Sequence, residues 1–101
     1  MIIYNVTIKI NHSIVTEWLS WMNQEHIPEM IATGCFTHAT FLQLLETDES
    51  EGLTFAVQYH AKSKSDYNRY IENYAPVMRK KSTDRWGDQF IAFRTVMQIV
   101  Q

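Results

Sequence analysis

His26 is the residue of this chain whose type and surroundings point most directly to chemistry. It closes the run Trp18-Leu19-Ser20-Trp21-Met22-Asn23-Gln24-Glu25-His26, just ahead of Ile27-Pro28-Glu29-Met30, and so sets a titratable imidazole among large apolar side chains. An imidazole in a dry pocket can act as a general base or a hydrogen-bond donor near neutral pH. On an apolar helix face a histidine is more often a core residue bonded to a carbonyl than a catalyst. Burial against Trp and Met disfavours the imidazolium, whereas unpaired carbonyls at a helix end favour it, so the direction of its pKa shift stays open.

The remaining candidates form weaker patterns. Cys35 is the single cysteine, which rules out an internal disulfide and fits a reducing compartment. No base is placed beside it, so neither a Cys-His nor a Ser-His-Asp arrangement is supported. Gly34, Gly52 and Gly87 are the only glycines, too few and too scattered for a phosphate-binding loop. Glu46, Asp48, Glu49 and Glu51 lack the spacing of a calcium loop and read as a solvated turn. Arg79, Lys80, Lys81 and Arg85 read as a solvated helix end whose cations suit the dipole, in preference to an anion site.

These residues must be carried by regular elements. Ile2, Tyr4, Val6, Ile8 and Ile10 alternate with Ile3, Asn5, Thr7 and Lys9, which is a strand. Ser13 is a plausible N-cap, and at about 100° per residue Ile14, Trp18, Met22, Val15 and Leu19 share one arc of a helix, with Trp21 at its edge. His26 falls within that arc if the helix stays regular. Pro28 opposes this, so the helix bends or ends near His26, restarts with Pro28 in its first turn and closes at Gly34 in a left-handed conformation.

A strand over Cys35–Leu45 and another from Leu53 to Ala61 make an antiparallel hairpin around the acidic turn. Placing Glu46 opposite Leu53 sets Leu44 against Phe55 and Leu42 against Val57. His38 and His60 then project from opposite faces, so no metal site is expected there. Ser63 and Asp66 form a capping box for a second helix bearing Tyr67, Tyr70, Ile71, Tyr74 and Met78, interrupted at Pro76. His26-Ile27-Pro28-Glu29-Met30 and Tyr74-Ala75-Pro76-Val77-Met78 echo each other, each after an amphipathic helix. The last strand runs from about Gln89 to Val100 and is apolar on both faces.

The order strand, helix, strand, strand, helix, strand predicts an α+β fold of ferredoxin-like βαββαβ type. Its four-stranded antiparallel sheet would carry the helices on one face, over Tyr4, Val6, Ile8, Phe55, Val57 and Tyr59. The other face would hold Ile3, Asn5, Thr7, Ala39, Phe41, Ala56, Gln58, Phe90, Ala92, Arg94 and Val96. That mixture is too apolar for water and too polar for a core, so a second copy of the chain should cover it. Phe41, Phe90, Arg94 and Val96 are the expected interface residues, with Arg94 paired to a carboxylate across it.

At 101 residues the chain should be one domain, 1–101. A net charge of -2 argues against a nucleic-acid partner. No run of 18 apolar residues and no signal-peptide pattern stands out, so no membrane association and a cytoplasmic location are expected. A pocket under the first helix would be lined by Trp18, Met22 and His26 and closed by Tyr4, Tyr59, Tyr67 and Tyr74. It would suit a small apolar or aromatic molecule, with no metal or cofactor. Two alternatives stand beside simple binding: an enzyme using His26, or a noncatalytic module for a protein partner.

The residues Met1-Ile2-Ile3-Tyr4-Asn5-Val6, Trp18 to Met22, His26-Ile27-Pro28, Thr33-Gly34-Cys35-Phe36 and Phe93-Arg94-Thr95 carry a resemblance across nearly the whole chain. They resemble a bacterial family of roughly hundred-residue proteins known only as a domain of unknown function. In its βαββαβ order and two-faced sheet the chain is similar to the dimeric α+β barrel superfamily. That superfamily includes antibiotic-biosynthesis-type and haem-degrading monooxygenases, muconolactone isomerase and EthD-like proteins. The resemblance implies a homodimer and a helix-sheet pocket, often built with Asn, Trp, Tyr or His in place of a tightly bound metal. It also implies monooxygenase- or isomerase-like chemistry as an alternative to binding, on fold analogy alone.

Overall fold

Alternation in the first strand becomes burial. In the computed structural model, which describes residues 1–101, β1 (Ile2–Ile10) buries Ile2, Tyr4, Val6, Ile8 and Ile10 on one face. It lies between β3 (Leu53–Ala61) and β4 (Phe90–Gln98), with β2 (His38–Gln43) outside β3, and every pairing is antiparallel. The order β2-β3-β1-β4 is that of the ferredoxin-like fold. Helical segments cover one face only, and the molecule is a slab whose shortest dimension is 19 Å, the thickness of two layers.

The first helical arm runs as α1 (Val15–Trp21), a π-helical turn (Met22–His26) and α2 (Ile27–Ala32). A 3-10 turn over His12–Ile14 precedes it, capped by Asn11, whose side chain accepts from the Ser13 N–H; Ser13 itself does not cap α1. Pro28 neither ends nor simply kinks this arm. Its ring would collide with the Gln24 carbonyl in a regular α-turn, and the chain widens instead, so that the Ile27 N–H reaches Met22 O five residues back. Gly34 then closes the arm with φ +77°, as its position implies.

The second arm breaks where the first one widens. α3 (Lys64–Asn73) starts at Ser63, whose Oγ accepts from the Asp66 N–H at 3.1 Å. Tyr74 leaves helical geometry, and α4 (Ala75–Trp86) begins beyond it. The sequence echo is structural: Pro28 and Pro76 are each the second residue of a restarting helix, and Met30 and Met78 both enter the core.

Two features of the sheet differ from expectation. The β2–β3 register is shifted by one residue, with Phe41 opposite Val57, Gln43 opposite Phe55 and Leu42 opposite Ala56. Phe41 rather than Leu42 thereby faces the core, where its ring meets Trp18 at 5.6 Å and Phe55 at 5.9 Å. The connection between the strands is too long to fix register by turn geometry, so this aromatic packing decides it. Gly52 closes the connection against β1, where a Cβ would collide with the Ile10 carbonyl oxygen.

The second difference is the parity of β4. Phe90, Ala92, Arg94 and Val96 lie opposite Ile10, Ile8, Val6 and Tyr4, on the helix side of the sheet. Directly opposed residues share a face. The assignment of Phe41, Phe90, Arg94 and Val96 to the open face is therefore corrected. The residues that β4 presents there are Ile91, Phe93, Thr95 and Met97, with Ile91 58% and Phe93 66% exposed. No helix of the molecule is long and apolar enough to cross a membrane.

Candidate functional site

Trp18 and Met22 sit one turn apart on the sheet-facing side of the first arm and are buried. The widened turn that follows lays His26 flat on Trp21, ring centres 4.8 Å apart and planes 16° from parallel. Trp21 in turn meets Trp86, the last residue of α4, edge-on at 5.8 Å. Between these side chains and the sheet lies a partly open cavity of about 50 Å³.

Of the residues expected to line it, Tyr4, Trp18, Met22, His26 and Tyr59 do so, and Tyr67 and Tyr74 do not. Tyr67 packs against Tyr4 at 5.5 Å, one layer away. Among the further lining residues, which the sequence reading did not place there, are Tyr70, Met78, Ser82, Trp86, Arg79 and Arg94. Met78, Ser82 and Trp86 are spaced four apart, which puts them on one stripe of α4. That spacing is legible in the sequence, but the basic residues around it read as a solvated helix end. Arg94 reaches the wall because β4 has the parity opposite to the one expected from the sequence.

Three polar atoms in this wall are buried without a hydrogen-bond partner: His26 Nδ1, Tyr59 OH and Trp86 Nε1. Native interiors hold few such atoms, because each costs about 1–3 kcal/mol. Burial lowers the His26 pKa to about 4, with Glu29 raising it and Lys81 lowering it. Those two neighbours pair with each other at 2.7 Å. The imidazole is thus neutral at pH 7, suited to hydrogen bonding and weak as a general base. Burial raises the Tyr59 and Tyr70 pKa values, so both hydroxyls keep their protons. Tyr4 OH accepts from Arg79 at 3.3 Å, which raises the arginine pKa further.

The volume bears on what enters. An engineered apolar cavity that takes benzene has about 150 Å³, so a flat aromatic ring requires this one to widen. Its rim can supply that, since Trp21 and Phe90 are only half-buried and Arg79 and Arg94 are exposed.

On the far face of the sheet the corrected register has a second effect. His38 and His60, expected on opposite faces, are direct cross-strand partners with stacked rings 4.1 Å apart. No group of three or more metal-ligating side chains gathers around them or elsewhere.

A family model described as a domain of unknown function (DUF4286) matches residues 1–100. No curated protein matches the chain. Among solved structures, a protein from Nitrosomonas europaea described as an antibiotic biosynthesis monooxygenase superposes with a TM-score of 0.68 at 12% identity, covering 100% of both chains. SnoaB, a cofactor-independent oxygenase from Streptomyces nogalater, gives 0.63 at 11% identity over 99% of this chain and 94% of that one. A dimeric ferredoxin-like protein from an uncultured marine organism gives 0.66 at 9% identity, over 99% and 95%. Identities this low establish a shared fold.

Proposed function

The chain belongs to the DUF4286 family, a domain of unknown function, and from that premise we propose that it is a homodimeric protein binding a small apolar or aromatic molecule between helices and sheet. The observation that carries this reading is the set of three unpartnered buried polar atoms, on His26, Tyr59 and Trp86, within an otherwise apolar wall. A bound molecule that satisfies them offsets the desolvation cost of those groups. Catalysis is the second reading, favoured by the neighbouring oxygenase that works without a cofactor. It requires His26 to accept a proton, and a pKa near 4 works against that at neutral pH.

Self-association rests on the open face. Ile91, Phe93, Met97 and Leu42 are large, apolar and exposed there. Three of the four strands have nine residues, giving a face of roughly 500 Å² in projection. With side-chain relief, that is of the order a stable dimer needs from each subunit.

Native mass spectrometry of the protein as purified, followed by titration with small aromatic compounds read by tryptophan fluorescence, tests both halves. The expected result is a doubled mass, and binding that disappears when Ala92→Leu fills the cavity from β4. A bare monomer overturns the dimer. Binding indifferent to Ala92→Leu overturns the cavity as its place.

A further inference from the structure

The cavity wall carries a charge pattern that its apolar majority conceals. Its charged members are Arg79 and Arg94, no carboxylate accompanies them, and His26 is neutral at pH 7. The contrast within α4 is informative. Lys80 pairs with Asp84 at 2.7 Å, Lys81 with Glu29 at 2.7 Å, and Arg85 approaches Glu17 at 3.9 Å. Arg79, in the same basic cluster, has no acidic partner and donates only to Tyr4 OH. Arg94 is the sole charged residue of β4 and also has none. Unlike its basic neighbours on α4, Arg79 lines the cavity, and Arg94 reaches the same wall from the sheet.

The two guanidiniums arrive from different layers, and both oppose the rise that burial gives the Tyr70 pKa. Arg79 comes from α4, Arg94 from β4, Tyr4 from β1 and Tyr70 from α3. Four elements thus meet in the wall of one cavity, with two guanidiniums and no carboxylate among the lining residues. Guanidinium forks match a planar carboxylate with paired hydrogen bonds, and the aromatic and methionine wall behind them excludes water and suits a compact hydrocarbon body.

We propose that the ligand of this cavity is an organic carboxylate, its anionic end held between Arg79 and Arg94 at the rim and its apolar body against Trp18, Met22 and Trp86. This rests on the cavity being a binding site at all. Trp86 Nε1–H and Tyr59 O–H lie buried and unpartnered in the same wall, so an oxygen substituent on the body would find donors there. Because both arginines are exposed to solvent, the electrostatic part of the affinity should weaken as salt rises.

Benzoate and its uncharged counterpart benzamide are the probes, titrated against tryptophan fluorescence, since Trp18, Trp21 and Trp86 all line the cavity. Benzoate should bind at least ten-fold more tightly than benzamide. Arg94→Met and, separately, Arg79→Met should each remove most of that preference while leaving the melting temperature within a few degrees of wild type. Both positions are exposed, so at least one variant should fold. Equal binding of the two probes overturns the carboxylate assignment and leaves the cavity reading intact. Binding of neither overturns both. Inorganic phosphate that displaces benzoate at equal concentration overturns the carboxylate in favour of a phosphoryl group, and a preference unchanged in both variants removes the arginines from the site.

Discussion

The two faces of the sheet are built from alternate residues of the same strands, yet they answer different physical demands. On the helix side, Tyr4, Tyr59 and Trp18 are each no more than 2% exposed, and the wall of the cavity among them holds buried polar atoms without a protein partner. On the other side, Ile91 and Phe93 stand exposed beside Thr95 and Thr7. Residues 92 to 94 pass from one regime to the other and back: Ala92 and Arg94 belong to the cavity, Phe93 to the open face. The covered face encloses a small cavity, whereas the open one leaves large apolar side chains without cover, and the proposed small-molecule ligand and second subunit answer those two demands separately.

The strongest way to break that contrast is to exchange the demands at adjacent positions. Phe93→Asp puts a carboxylate into the face that a second copy should cover, and two-fold symmetry places it there twice. Loss of a large aromatic anchor at an interface costs about 2 kcal/mol or more, so the dimer dissociation constant should rise at least ~30-fold. Benzoate binding should persist. Sedimentation and fluorescence titration of the same preparation read both quantities. A variant that stays dimeric and loses benzoate would reverse the assignment of the two faces.

The second prediction concerns the covered face alone. His26 has a native pKa near 4 against an ordinary 6.5. Above pH 6.5 it is neutral in both states and contributes no pH dependence. Between 6.5 and 4 the unfolded chain takes up a proton that the native one refuses, so stability falls as the pH falls through that window and levels off below it. The loss attributable to this one group should be about 2 kcal/mol, less than the full shift implies because the ring is partly exposed. Urea unfolding of wild type and His26→Phe at pH 7.0 and pH 4.5 isolates it, the variant showing the smaller drop. Equal drops would mean that the imidazole is solvated in the native state.

How much of this was legible depends on whether a segment had one apolar face or two. β1 alternates cleanly, and its burial follows the alternation except at Asn5, which is buried on the open face; Pro28 with Met30 and Pro76 with Met78 mark two restarting helices that the structure contains. β4 carries Phe90 and Val96 on one face and Ile91 and Phe93 on the other, so periodicity alone could not say which faces the helices. β2 has the same ambiguity between Phe41 and Leu42. Both were resolved by pairing with a strand of known parity, a long-range fact that no local window contains. The candidate site shows the same division: Tyr4, Trp18, Met22, His26 and Tyr59 follow from clean periodicity and line the cavity, whereas Arg79 and Arg94 lie in a basic helix end and a two-faced strand, where periodicity does not single them out.

The smallest expected effect tests that pairing directly. In the observed register His38 and His60 stack across β2 and β3, and the His60 pKa is lowered by burial first and by its neighbour second. Removing the neighbour in His38→Ala withdraws the charge repulsion and opens the ring to water, so both causes weaken together and the His60 pKa must move upward. Histidine ring proton shifts followed by NMR through the pH range 5 to 8 report this without perturbing the core, since both residues lie on the open face. In the register slipped by one residue the two rings point to opposite sides of the sheet, and His60 would titrate identically with or without His38. A flat response would therefore return Leu42 to the core in place of Phe41 and withdraw the aromatic contact beneath Trp18.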